Sequence, residues 1–160
     1  PAIYEEIVGK LLPKRATMRA MNLLKSRPYT EYQLRQKLSM GGYPQDAQEE
    51  AISYVKSYHY IDDRQYAMDY IEYHQESKTK QKLLQSLMSK GLSKELILEC
   101  FDEIVGDRKK ELEEEQILKI LRKKNYDPEQ WTFEEKQRLM ASLYRKGFSS
   151  ELIHVHFYLT

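Results

Sequence analysis

The sequence predicts an all-α protein, an elongated tandem array of three three-helix repeats behind an N-terminal lead-in helix. Two observations carry that prediction. One pattern occurs three times: Leu34, Leu38, Gly42 and Tyr43 have the spacing of Leu83, Leu87, Gly91 and Leu92, and of Leu139, Leu143, Gly147 and Phe148. The ninth residue beyond each pattern is apolar, Ile52, Phe101 and Phe157. Leucines four apart share a helix face, a glycine in the left-handed conformation ends a helix, and the apolar residue after it folds back on the last turn. Each copy therefore reads as helix, tight turn, helix. The second observation is distance. The copies lie 49 and then 56 residues apart, which leaves room for one more helix before each leucine pair, and no segment shows the strict alternation of a strand. Units this small bury little alone, so neighbours are expected to stack and act as one core, as in helical solenoids.

The elements follow in order. Residues 1–15 hold the lead-in helix, with Ile3, Ile7, Val8, Leu11 and Leu12 as its apolar side and Pro13 as its end. The first unit, 16–61, opens on a helix with Met18, Met21 and Leu24 as its apolar face, broken by Pro28. Thr30 and Gln33 form a capping-box pattern that starts the next helix. Gly41 and Gly42 close it, Pro44 suits a first helical turn, and the third helix buries Ala47, Ala51, Ile52 and Val55. The second unit, 62–106, starts at Asp62 with Gln65 in the reciprocal position. Its stripe is Tyr66, Ala67, Tyr70 and Ile71, followed by Leu83, Leu84, Leu87 and Met88, then by Leu96, Ile97, Cys100, Phe101 and Ile104 behind Ser93. The third unit, 107–160, begins with a charged helix from about Asp107 to Lys124 whose apolar side is Leu112, Ile117, Leu118, Ile120 and Leu121. Residues Asn125 to Pro128 break it, Thr132 with Glu135 starts the next helix, and Ser149 opens the last, which carries Leu152, Ile153 and Phe157.

Composition excludes several classes. At 160 residues, 32% charged and 41% hydrophobic, the chain is ordinary globular material. No apolar run approaches the roughly 20 residues that span a bilayer, and a single cysteine excludes an internal disulfide. A cytoplasmic protein without membrane contact, acting as a monomer, is expected. Net charge is +1, yet residues 1–40 carry eight Lys or Arg against three Glu, while residues 41–160 carry eighteen against twenty-two acids. One end thus attracts polyanions and the other suits a basic protein surface.

Little in the sequence suits catalysis. None of the six glycines fits a phosphate-cradling loop. His154 and His156 are two apart, about 200° around a helix and so on opposite sides. Cys100 aligns with Ala51 on an inward face and reads as packing. No cofactor, metal or enzymatic activity is expected. Nine of the thirteen tyrosines fall between Tyr29 and Tyr73. Tyr43, Tyr66 and Tyr70 read as core, while Tyr29, Tyr32 and Tyr73 suit either core or contact.

The run Ser26 to Leu38 (SRPYTEYQLRQKL) with Gly42, Tyr43 and Pro44, the segment Tyr60 to Ala67 (YIDDRQYA), Leu87 to Leu92, and Lys146 to Ser149 (KGFS) resemble the RecX family of bacterial RecA regulators. The resemblance starts at about Arg15 and leaves the first fourteen residues out. It implies helix-turn-helix-like repeats that lie along the groove of the RecA filament on single-stranded DNA and restrain its ATPase and strand exchange. It also implies single- and double-stranded DNA as partners. The basic residues Arg27, Arg35, Lys37, Lys78, Lys80, Lys82, Arg138, Arg145 and Lys146 are then the candidates for contact with RecA or DNA. Arg35 and Lys37 align with Leu84 and Ser86 and with Met140 and Ser142, so repetition encodes packing rather than a base-by-base code. A DNA-binding module acting without RecA and a helical scaffold for protein partners are the alternatives.

Overall fold

The computed structural model describes residues 2–158, with the side chains of Val8 and Tyr158 outside the described set, and its described residues contain helices and no strand. The lead-in segment comprises α1 (Ala2–Glu6) and a π turn, Ile7–Leu11, and it runs without interruption into α2 (Leu12–Ser26). Then follow α3 (Glu31–Met40), α4 (Gln45–Ser57), α5 (Asp63–His74), α6 (Lys80–Ser89) and α7 (Lys94–Val105). A 3₁₀ turn, Gly106–Arg108, leads into α8 (Lys109–Lys123), and α9 (Phe133–Arg145) and α10 (Ser150–Tyr158) complete the chain.

The thrice-repeated turn is built as its residues require. Gly42, Gly91 and Gly147 have φ of 85°, 89° and 89°, a region that L side chains enter only with strain. The amide of the following residue then donates back across the last turn, Tyr43 to the Leu38 carbonyl at 3.2 Å, Leu92 to Leu87 at 3.2 Å and Phe148 to Leu143 at 3.3 Å. These are Schellman closures, and each tucks its apolar residue beneath the helix it ends. Helix starts are equally legible. Thr30 accepts from the Gln33 amide at 3.2 Å while the Gln33 side chain accepts from the Thr30 amide at 3.2 Å, a complete capping box. Asp62 accepts from the Gln65 amide, but the Gln65 side chain donates to Asp69 instead of reaching back. Thr79 caps α6, so Lys80 and Lys82 occupy its first turn rather than preceding the helix.

Three separate cores result. The first joins Ala16, Ala20 and Leu23 of α2 to Leu34, Leu38, Ala51, Ile52 and Val55. The second holds Ala67, Ile71, Leu83, Leu87, Ile97, Cys100 and Phe101. The third holds Ile117, Leu121, Leu139, Leu143, Phe148, Leu152 and Ile153. The three cores share no residue, because the surfaces that meet between units are mostly polar or small, with Leu112 of α8, which enters the second core, as the exception. At the first junction the Thr30 hydroxyl donates to the Lys90 carbonyl at 2.6 Å, the Glu31 amide donates to Asp63 at 3.0 Å, and Tyr32 lies over Gly91. At the second, the Gln116 side-chain amide donates to the carbonyls of Gln75 at 3.1 Å and Lys78 at 2.9 Å, and Gln81 lies over Gly147. Tyr32 and Gln81 share a repeat position, so one joint is used twice with different side chains.

Other expectations need correction. Pro13 does not end the lead-in helix. The π turn, with Leu12 donating to the Ile7 carbonyl, widens the ladder, and Pro13 then sits in a first turn where its missing N–H costs nothing. The buried face of α2 is Pro13, Ala16, Ala20 and Leu23, and Met18 is 61% exposed. Small residues win that face because α2 packs closely along α4, itself buried through Ala47 and Ala51. Met88 and Leu118 are exposed, and Leu112 of α8 packs into the second core. The apolar side of the lead-in segment is uncovered at Ile3, Ile7 and Leu11. The undecided tyrosines divide three ways: Tyr29 is core, Tyr32 makes the junction, and Tyr73 is 83% exposed.

Asp63 yields a prediction about pH. Burial pushes its carboxyl up, against the lowering effect of the Glu31 amide that donates to it. A carboxyl raised in the fold binds its proton more readily native than unfolded, so its contribution to stability is lowest above that raised value, grows as pH falls through it toward the ordinary carboxylate value, and is fully present below that. Asp63→Asn keeps an acceptor for the Glu31 amide and removes the charge. The melting temperature at pH 7 is expected to hold or rise, and its increase on acidification to shrink. A lower melting temperature at pH 7 would show instead that the charge is favourable where it lies.

Candidate nucleic-acid interface

The second junction gathers cations that lie far apart in sequence. Thr79 starts α6 so that Lys80 and Lys82 fall in its first turn, where the helix dipole offers no compensation for positive charge. The Gly147 turn delivers Lys146 to the same end of the unit. Helix α8 runs past both and adds lysines of its own. One cleft, about 270 Å³, is lined by Lys82, Lys119, Lys123 and Lys146, with Glu76 and Phe148. On the other side of Gln116 a second cleft, about 250 Å³, is lined by Lys78, Lys80, Lys109 and Glu113. Among the described residues none of Lys78, Lys80, Lys82 and Lys146 is ion-paired.

The crowding shows in their acidity. Burial pushes the Lys146 ammonium down, and the charges of Lys82, Lys124 and Lys123 push it further. Burial does the same to Lys80, with Lys109 beside it. Neither is ion-paired, although Asp102 and Glu113 act on Lys80, and an anion laid across them relieves both the repulsion and the acidity. Lysine is a point charge without the planar fork of arginine, so the clefts suit phosphate groups of a flexible chain rather than one fixed oxyanion.

The other candidates lie elsewhere. Arg35 is gripped by Glu49, with a second guanidinium contact at 3.1 Å, and by Glu31 at 3.4 Å, so its charge is answered inside the first unit. The hydrogen bond that Arg35 donates to Glu49 raises its pKa accordingly. Lys37 is exposed on α3. Arg27 lies over the Tyr29 ring, 3.8 Å from its centroid. Arg138 and Arg145 are exposed on α9, with Arg138 beside Lys124, Trp131 and Glu135. The structure thus brings Lys82 to Lys146 and Lys78 to Lys80. Lys109, Lys119 and Lys123 were hidden from sequence reading by the glutamates of α8, whose alternating charges resemble any solvated helix. The one available signal is the i, i+4 spacing of Lys119 and Lys123.

Cys100 is fully buried, and that burial pushes its thiol up, away from the reactive thiolate. His154 hydrogen-bonds Tyr144 at 3.0 Å, and no group of three potential metal ligands occurs among the described residues. No helix among the described residues is long and apolar enough to cross a membrane.

Comparison with known proteins bears on these surfaces. Residues 16–54 match the family description "RecX, first three-helix domain" and residues 111–154 match "RecX, third three-helix domain". The regulatory protein RecX of Caldanaerobacter subterraneus subsp. tengcongensis is 32% identical over 98% of this chain and 76% of its own length. That of Clostridium botulinum is 33% identical over 78% of this chain and 58% of its own. A crystal structure of regulatory protein RecX superposes with a TM-score of 0.74 at 23% identity, over 93% of this chain and 74% of that one. The crystal structure of RecX from Lactobacillus salivarius gives 0.73 at 20% identity, over 90% and 93%. At those identities the two structures speak to the fold alone.

Proposed function

The chain belongs to the RecX family, and from that premise we propose that it is a non-enzymatic regulator that binds the RecA filament on single-stranded DNA and restrains RecA's ATPase and strand exchange. The observation that carries this reading is the pairing of repetition with unpaired charge. A filament presents one surface over and over, and three similar units in tandem can engage successive subunits, which raises the effective concentration of each contact after the first. The lysine clefts at the second junction supply the affinity for the phosphate backbone within the filament. On this reading the protein works in the cytoplasm, in recombination, DNA repair and the SOS response.

The test adds the protein to RecA, ATP and single-stranded DNA and follows hydrolysis and strand exchange. Lower rates at stoichiometry well below one protein per RecA are expected, and unchanged rates defeat the proposal. The clefts make a separate prediction. Lys82→Glu with Lys146→Glu is expected to weaken binding to single-stranded DNA and to reduce the slope of log affinity against log salt by about 1.4, two phosphate contacts at roughly 0.7 each. Arg35→Gln is expected to leave that slope unchanged. A steep slope on naked DNA, roughly −4 for about six contacts, with no effect on RecA, favours instead a DNA-binding protein that acts alone.

A further inference from the structure

A second surface lies at the first junction and differs in kind from the lysine clefts. Tyr66, Tyr70, Tyr73 and His74 line one side of α5, on a different face from the buried Ala67 and Ile71; Tyr66 and Tyr70 are half-buried and pack against the second core, as expected of them, while Tyr73 is exposed. Together with Arg27 and Pro28 after α2, and with Asp69, they line a groove of about 360 Å³. Its rings are arrayed rather than scattered. Tyr70 and His74 have centroids 4.4 Å apart, and Tyr73 meets His74 edge-on at 4.8 Å. Cations rim it. Lys78 donates to the Tyr70 hydroxyl at 2.7 Å, and Lys90 lies 5.4 Å from the Tyr70 ring centroid. Arg27, Lys78 and Lys90 stand against the single carboxylate of Asp69.

We propose that this groove is a stacking site for an unpaired base of single-stranded nucleic acid, with Tyr73 and His74 offering ring faces and Arg27, Lys78 and Lys90 facing the flanking phosphates. Tyr73, exposed and touching His74 edge-on, gains most from a flat aromatic partner, and a base supplies one whatever its sequence. The cations select a polyanion. Only a single strand has both base faces free, since in a duplex they are covered by neighbours. Burial, with the charges of Lys78 and Lys90, holds His74 below its ordinary value, so at neutral pH its ring is uncharged and adds no repulsion toward those lysines. The groove meets the first junction through Lys90, whose carbonyl takes the Thr30 hydroxyl. Bases at one joint and phosphates at the other give a single strand two different anchors.

This inference rests on the reading that the protein works on single-stranded DNA, and the experiment separates the two. The full chain is titrated into an otherwise abasic oligodeoxynucleotide carrying one central 2-aminopurine, and into its twin that is abasic throughout. Wild type is expected to quench the 2-aminopurine and to bind the base-bearing strand about tenfold more tightly than the abasic one, roughly 1.4 kcal/mol for one stacked base. Tyr73→Ala is expected to lose that tenfold and the quench while binding the abasic strand like wild type, and Tyr73→Phe to keep both. Tyr73 is exposed, so the fold should survive, as circular dichroism would verify. Equal affinity of wild type and Tyr73→Ala for the base-bearing strand overturns the site, and so does an equal loss on both strands. A variant that binds both strands normally but no longer slows RecA shows that the groove takes protein, which also overturns it. No binding of wild type to either strand defeats the wider reading along with this one.

Discussion

Gly91→Ala is expected to be far more damaging than the same substitution at Gly42 or Gly147, although all three glycines share a left-handed φ between 85° and 89°. Alanine in that conformation costs about 1–2 kcal/mol wherever it occurs. What differs is the space. At Gly42 an added Cβ meets nothing within 4 Å, and at Gly147 it meets the Cβ of Gln81 at 3.4 Å, an ordinary contact. At Gly91 it falls 2.2 Å from the Cβ of Tyr32. That atom is fixed to the backbone of α3, so no rotation relieves the clash and the first two units must part. The Thr30 to Lys90 hydrogen bond goes with them. Gly91→Ala should therefore lose a further 1–3 kcal/mol, about the cost of overpacking, as read by chemical denaturation of the three variants side by side. Tyr32→Ala is expected not to rescue it, because the offending atom is retained. Tyr32→Gly is expected to recover part of the loss, less about 1 kcal/mol for glycine within a helix. Three equal losses would mean that the junction has no bearing on stability.

The second large effect is local. Leu143 is fully buried in the third core, which shares no residue with the other two. Leu143→Ala should cost about 3–5 kcal/mol, comparable to the whole stability of a unit this small. Helices α8 to α10 are then expected to lose amide protection in hydrogen exchange while residues 16–57 keep theirs. Leu38→Ala, in the first core, should give the mirror image. A uniform loss along the chain in both variants would mean that the units fold as one body.

The contrast between what could and could not be read from the sequence has a physical basis. Leu38, Gly42 and Tyr43 announce a turn because helix closure is local, needing only a left-handed residue and an apolar one at fixed spacing. Thr30 and Gln33 announce a start for the same reason. Periodicity also found the buried faces of α4 and α7, and that of α6 apart from the exposed Met88. On α2 it was half right: Met21 and Leu24 pack against the first core, but Met18 is exposed, and close packing against α4 selected Ala16 and Ala20 for the buried face. It failed at the joints, since nothing local tells that Tyr32 will lie on Gly91, 59 positions later. The candidate site suffered most. Lys82 and Lys146 were legible one by one, but their cleft exists only because α8 brings Lys119 and Lys123 between them. Arg35, prominent in the sequence, proved to be answered by Glu49, a partner one helix away.

Under the proposed function, regulation depends on the joints between units rather than on any unit alone. The most direct test of that dependence is the rate of ATP hydrolysis by RecA on single-stranded DNA, titrated with the Gly42→Ala and Gly91→Ala proteins at a temperature where both retain wild-type helicity. Gly42→Ala should slow hydrolysis as wild type does, and Gly91→Ala should require at least tenfold more protein for the same effect. If the two titrations coincide, the joint contributes nothing and the account is wrong.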